Sequence, residues 1–241
     1  MNSALLVLML LSSPASAAPQ VAIVIDDFGL NYKPTPPDEE WMAQAGTMTF
    51  AVMPESPRTK QAAALTAATA NKELIIHYPF DPFQSLVINK DAADPEDVAK
   101  TTALLEKAMK QIPGAKGLNN HRSYKATKNR PLMRAFMAAL KPMGLYFLDS
   151  GVSKNSVAYA EAKAAAVPAA MNFIFLDTAE LHTQAFCEKM LRQAVSHARK
   201  KGSAVAIGHH YYRTTFDCLK DEIPRYEKEG VEFVTASALA R

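Results

Sequence analysis

Beyond its first seventeen residues, the chain alternates short continuous apolar runs with longer stretches of helical periodicity. The runs at 21–25, 48–53, 73–77, 117–120, 145–148, 172–176, 204–207 and 232–234 are predicted strands. Most show no polar–apolar alternation, the pattern of strands covered on both faces in a parallel sheet. Helices are predicted over 38–45, 59–70, 94–111, 131–140, 178–201 and 215–229. The 94–111 segment has Asp94 as its cap, Pro95 in the first helical position, and Glu96 and Asp97 in the first turn, where they suit the helix dipole. Pro224 is predicted to kink or split the last helix. Strand-then-helix order implies βα units with right-handed crossovers, and about eight strands favour a barrel or partial barrel over an open sheet.

The opening residues follow another pattern. Residues 1–17 (MNSALLVLMLLSSPASA) hold an apolar run over 4–11, then small residues ending in Ala15-Ser16-Ala17. That is the layout of a signal peptide, and the run is well short of the ~20 apolar residues that span a bilayer. The expected organisation is a signal peptide over 1–17 and a single domain over 18–241, exported to the periplasm or secreted, with no stable membrane span after cleavage. An uncleaved N-terminal anchor is the other reading of the leader. The YKPTPP segment at 32–37 is expected to be an exposed loop, too short to divide domains.

Composition narrows the function classes. Apolar residues make up 49% and charged residues 21%, as in a packed globular chain. A formal net charge of +3 gives no basis for nucleic-acid binding. Two cysteines, Cys187 and Cys218, cannot form a disulfide framework or a Cys-rich zinc site. In an oxidising compartment they either pair with each other or stay as two separate buried thiols.

The candidate chemistry lies at the strand ends, where parallel α/β folds collect functional groups. The first strand ends in Asp26-Asp27, the third in His77 with Asp81 just beyond, and the fourth in Asn119-Asn120-His121. The fifth ends in Asp149, the sixth in Asp177, and the seventh in His209-His210. Histidines and carboxylates from several strands on one rim make a metal site plausible. His182 and His197 fall within one predicted helix and read as solvated or structural.

The segments VAIVIDDFG (21–29), IIHYPFDP (75–82), GLNNHRS (117–123), YFLDS (146–150), IFLDT (174–178) and AIGHH (206–210) resemble the divergent polysaccharide deacetylases, in the same order and at similar spacing. The resemblance implies a distorted (β/α) barrel of about seven or eight mostly parallel strands and the removal of acetyl groups from N-acetylated sugars. It also implies a divalent metal, zinc by preference. By the same resemblance Asp26 is the general base and Asp27 a metal ligand. His77 and His121 are the further ligands and His209 is the general acid. Asn119 and Asn120 shape the pocket or donate to substrate. Asp81, Asp149 and His210 complete the expected substrate-binding rim, and Asp149 is also expected to orient His209.

The chain departs from the related larger class of deacetylases, which draw two histidine ligands from one short motif. Here the two lie 44 positions apart. It differs from the divergent family's common residues at Asp81, Arg122, Gly151, Thr178 and His210, where Glu, Met, Arg, Asn and Pro are usual. These differences touch the rim and bear on substrate identity. Two further readings therefore stand beside a deacetylase of N-acetylated amino-sugar polymers or oligomers. One is a glycan-binding protein that kept the fold without turnover; the other is a metal hydrolase of a different ester or amide.

Overall fold

A computed structural model describes residues 17–30 and 36–241. The expected leader lies outside the described residues except for Ala17, as does most of the 32–37 loop. In chain order the elements are β1 (Gln20–Phe28), α1 (Asp38–Ala43), β2 (Met48–Val52), α2 (Thr59–Ala67), β3 (Lys72–Pro79), α3 (Pro95–Gln111), β4 (Gly117–His121) and α4 (Arg130–Leu140). There follow β5 (Tyr146–Asp149), α5 (Ala158–Ala164), β6 (Ala169–Met171), β7 (Ile174–Phe175), α6 (Gln184–Lys201), β8 (Ser203–His209), α7 (Arg213–Lys228), β9 (Glu232–Val234) and α8 (Ala236–Leu239).

All the strand pairings are parallel, in the order β6-β5-β4-β3-β2-β1-β8-β7. The short β9 shares one edge of β1 with β2, taking Gln20 to Ala22 while β2 takes the later residues. Strands β6 and β7 stand at opposite ends of this order, yet only Asn172 and Phe173 separate them in sequence. Three peptide steps reach at most about 11 Å, so the sheet has curled until its edges are neighbours. The link itself bridges the gap: Asn172 N donates to Asp149 O (2.9 Å) and Phe173 N donates to Val205 O (3.0 Å). The distorted barrel expected from the sequence is thus closed by two residues of chain instead of a full ladder.

The sheet has two faces with different packing. Val21, Ile23 and Ile25 of β1, Leu74, Ile76 and Tyr78 of β3, and Ala204 and Ala206 of β8 pack outward into the helix layer. Ala22 and Val24, Ile75, Val205 and Ile207 face inward, with Ala51, Tyr146, Leu148 and Ala170. Small side chains dominate the inner set because a curled sheet leaves little room inside. Strand side chains alternate between faces, so this parity also fixes where residues at the strand ends point.

Local signals set the helix ends, and three expectations need correction. Asp94 caps α3 as predicted, accepting from Glu96 N at 2.9 Å. Helix α6 begins at Gln184, not at 178, because Thr183 Oγ1 accepts from Phe186 N (3.2 Å) and caps it there. Thr178 is held in a turn, with its N–H donating to Leu181 O (2.8 Å), so His182 precedes the helix. Pro224 does not split α7. The carbonyl that loses its N–H partner belongs to exposed Lys220, which water can serve, while Ile223 and Tyr226 stay anchored in the core. The run expected as a strand over 172–176 contributes only Ile174–Phe175 to the sheet.

Cys187 of α6 and Cys218 of α7 form a disulfide with Cα atoms 6.3 Å apart, which decides between the two readings of the cysteines. The bridge ties together the two helices that flank β8, and a loop of this size contributes about 2–4 kcal/mol. Among the described residues no helix is long and apolar enough to cross a membrane.

Candidate metal centre and active site

The inward parity of the strands delivers a cluster of polar side chains to the C-terminal mouth of the barrel. In β1, Asp26 continues the inward series of Ala22 and Val24. Asp27 would point outward on a regular strand. Instead, the register against β2 slips between Ile25 and Phe28, and Asp27 adopts φ 72°, a left-handed conformation that costs energy for a non-glycine residue. The bulge turns both carboxylates toward the same side. His77 follows Ile75 inward on β3, and Asn119 and His121 share the inward parity of β4. His209 follows Val205 and Ile207 on β8.

Three donor atoms converge there. His77 Nε2 lies 3.2 Å from Asp27 Oδ1, His121 Nδ1 lies 3.1 Å from the same oxygen, and the two ring nitrogens are 2.7 Å apart. Tetrahedral donors at about 2.0–2.1 Å from a zinc ion would be roughly 3.3 Å apart, close to this triangle. Among the described residues it is the one group of three such side chains able to hold a metal ion. The imidazoles alone could share a proton between their facing nitrogens. That arrangement leaves Asp27 Oδ1 buried with no hydrogen bond, and a divalent cation facing all three atoms would satisfy it. The donor set, one carboxylate and two imidazoles, suits such an ion.

Asn119 stands beneath this triangle and connects it to the second carboxylate. Its Oδ1 is 2.7 Å from His77 Nδ1, and its Nδ2 donates to Asp26 Oδ1 at 2.8 Å. With Nδ1 protonated and bonded to the amide, His77 presents the lone pair of Nε2 to the cluster. On the opposite side, His209 Nδ1 lies 2.5 Å from Asp177 Oδ1, which leaves Nε2 toward the cavity. Asp177 Oδ2 accepts from His209 N (3.0 Å) and Thr215 Oγ1 (2.5 Å), so the carboxylate is fixed from three directions. Gly208 makes this close approach possible. A Cβ there would meet Thr215 Cγ2 at 2.9 Å and Asp177 Oδ2 at 3.2 Å.

The electrostatics divide the groups. Burial pushes the Asp26 carboxyl above its ordinary value, against the pull of His77 and His209. Burial acts the same way on Asp27, but the imidazoles of His121 and His77 outweigh it and hold that carboxyl well below the usual range. Burial lowers His77, yet Asp26 and Asp27 together raise it. His121 is lowered by burial and by the neighbouring His77. Burial also opposes the charge on His209, but Asp177 prevails and raises it to about 9.

A cavity of about 390 Å³ opens above the cluster, lined by Asp26, Asp27, His77, Asn120, His121 and His209. The structure thus brings together these six residues singled out from sequence and, with them, the strand-end Asp177. Four others lie elsewhere. Asp149 follows the outward parity of Phe147. It is fully buried and holds the chain after β5, accepting from Gly151 N (3.0 Å), Ser156 Oγ (2.6 Å) and Tyr159 N (3.2 Å). The carboxylate that orients His209 is therefore Asp177, not Asp149. His210 follows the outward parity of Ala204 and Ala206 and is buried in the helix layer, 3.0 Å from Asp38. Asp81 accepts from Lys125 N and Ala126 N and so shapes the turn after β4. Asn119 is fully buried and occupied by Asp26 and His77, so it supports the site from below without reaching substrate. Arg122, read from sequence only as a rim difference from the family, lines the wall, and sequence reasoning missed Tyr124, Phe175, Glu180 and Tyr211. The inward parity of Phe175 was the available sign that Asp177, two residues on, faces the mouth.

Comparisons with known proteins accord with this architecture. An uncharacterized protein of Agrobacterium tumefaciens superposes with a TM-score of 0.80 at 20% identity, covering 95% of this chain and 92% of that one. The catalytic domain of a peptidoglycan N-acetylglucosamine deacetylase from Eubacterium rectale superposes with a TM-score of 0.59 at 11% identity, covering 94% and 92%. At these identities the likeness is one of fold. The uncharacterized protein YibQ of Escherichia coli is 34% identical over 208 residues, 86% of this chain. The chain spans only 63% of that relative's length. The sequence pattern of the divergent polysaccharide deacetylases matches residues 23–240, and the chain belongs to that family.

Proposed function

We propose that the chain is a metal-dependent hydrolase that removes acetyl groups from N-acetylated amino-sugar polymers or oligomers. One observation carries this reading. The donor triangle of Asp27, His77 and His121 shares one cavity with Asp26 and with the Asp177-supported His209. When bound at the triangle, a divalent cation, zinc by preference, would supply Lewis acidity to the amide carbonyl and to water. Asp26 accepts the proton of the attacking water, its position held by the Asn119 amide. His209 enters protonated, since Asp177 raises it to about 9, and gives its proton to the amine nitrogen as the C–N bond breaks. The products are acetate and the free amino sugar. Asp177 keeps the His209 ring turned with Nε2 toward the leaving group.

Export belongs to the same proposal. The leader pattern favours it, and the Cys187–Cys218 disulfide suits an oxidising compartment. The test is acetate release from N-acetylglucosamine oligomers by the zinc-loaded chain, with chelation and zinc replacement as controls. Chelator-sensitive release is the expected result. Oligomer binding by the metal-loaded chain with no acetate released would replace this reading with that of a non-catalytic glycan-binding protein.

A further inference from the structure

The turn immediately after the ligand His121 is built with unusual backbone. Arg122 and Ser123 adopt φ 51° and 71°, two successive non-glycine residues in the left-handed region. Such strain persists only where surrounding bonds hold it, and here they do. Ser123 N donates to Asp81 O (3.1 Å) and Ser123 Oγ to His121 O (2.7 Å). Asn120 Nδ2 donates to Arg122 O (3.2 Å). The Asp81 carboxylate then fixes the N–H groups of Lys125 and Ala126. The result is a stiff turn that presents Arg122 and Tyr124 on the cavity wall.

Arg122 is exposed, and its guanidinium rests 5.6 Å from the centre of the Phe83 ring. Phe83 in turn packs against the His121 ring, with centroids 4.9 Å apart. Among the described residues no carboxylate forms an ion pair with Arg122. Among the described residues it is the one arginine or lysine on a wall that otherwise carries Asp26, Asp27, Asp177 and Glu180. A substrate carrying its own carboxylate would be repelled by those acids. A propped, unpaired guanidinium offers the fork of N–H donors that a carboxylate accepts.

We propose that Arg122 is a specificity-determining residue, an anion subsite beside the metal centre. It selects N-acetylated amino-sugar glycans in which a carboxylate is carried by, or adjoins, the acetylated sugar. This inference rests on the deacetylase reading for its glycan class, but the subsite itself requires no turnover. The carboxylate could come from an acidic ether substituent on the amino sugar or from a neighbouring uronic acid, and the two sources are separable.

The experiment measures binding to the zinc-loaded full chain by calorimetry at low salt. It uses three length-matched oligomers: neutral N-acetylglucosamine, N-acetylglucosamine alternating with N-acetylmuramic acid, and N-acetylglucosamine alternating with glucuronic acid. One acidic series should bind about tenfold more tightly than the neutral one, and which series does so identifies the source of the carboxylate. Arg122→Met should bring the acidic-to-neutral ratio to about one, and Arg122→Lys should recover part of it. Added salt should shrink the ratio in the wild-type chain. Equal binding of all three oligomers, or binding of none, would overturn the subsite. So would a loss in Arg122→Met that falls equally on neutral and acidic oligomers. Acetate release is read in parallel. An Arg122-dependent acidic preference without acetate would leave the subsite standing and reject the hydrolase.

Discussion

His209 and His210 are consecutive, and each lies against an aspartate, yet they belong to different parts of the molecule. His209 Nδ1 meets Asp177 at the barrel mouth, and its other nitrogen faces the cavity. His210 Nε2 meets Asp38 in the helix layer, where Arg58 takes the other oxygen of the same carboxylate. Phe28 covers the His210 ring at 4.5 Å, and Trp41 Nε1 donates to its carbonyl (2.9 Å). The difference is one step of strand parity. A side chain pointing inward at the end of a strand meets the cavity; its neighbour pointing outward meets packed helices. The same chemical pair is therefore proposed to move a proton in one place and is structural in the other. They are also joined, since His210 N donates to Asp26 O (3.1 Å), so the structural pair braces the strand that carries the proposed base.

Substitutions can break this contrast. The largest effect should come from the mouth's own donors. Asp27→Ala and His77→Ala should each lose stoichiometric zinc, and acetate release should fall roughly 10³-fold or more, as measured by elemental analysis and initial rates. Retention of full metal content by both variants would reject the ligand assignment. Next comes His209→Ala, which should keep its zinc and lose about 10²–10⁴ in kcat. Its counterpart His210→Ala should behave oppositely, losing about 2–4 kcal/mol of stability in urea melts while bound zinc stays stoichiometric. Similar stability losses in the two variants, with similar rates, would dissolve the comparison.

A smaller effect should come from Asn119, which reaches both His77, a proposed ligand, and Asp26, the proposed base. Asn119→Leu should weaken zinc affinity about 10–100-fold, because His77 loses the acceptor that fixes its tautomer. Competition with a chelator of known affinity measures it directly.

The pair at the mouth should also leave a pH signature. His209 is raised in the folded chain to about 9, from an ordinary value near 6.5. A raised folded value means that the folded state holds the proton more tightly. The pair's stabilisation is thus complete below about pH 6.5 and is lost as pH rises through about 9. Asp177→Asn should flatten that slope in pH-dependent melts and move the alkaline limb of kcat to lower pH. Gly208→Ala should act in the same direction by crowding the Asp177 carboxylate. An unchanged alkaline limb in both variants would mean that His209 is not the acid.

Much of this was legible in the sequence, and the reasons are local. Apolar runs located β1, β2, β3 and β8 within a few residues, because strands buried on both faces have few polar positions to obscure them. The Asp26-Asp27, His77, His121 and His209 positions could be read as strand-end groups. The assignments of Asp149 and His210 to the rim needed one more step: parity against the apolar residues just before them, Phe147 and Ala206. Asp27 defeats that rule, since its inward direction depends on a bulge and a left-handed backbone that no apolar pattern announces. Short elements were also hidden. Strand β6 (AAM) and helix α5 (AYAEAKA) are alanine-rich and offer little contrast between faces. The closing link at Asn172 and Phe173 is a tertiary event, visible only once both sheet edges are in place.

The central claim is that Asp27 Oδ1, His77 Nε2 and His121 Nδ1 face one divalent cation. An anomalous-scattering map from crystals grown with zinc tests it most directly. The account predicts a single strong peak in contact with all three atoms, within reach of Asp26 and with His209 across the cavity. A crystal saturated with zinc that shows no peak there, or shows His121 Nδ1 hydrogen-bonded to His77 Nε2 with the triangle empty, would contradict it.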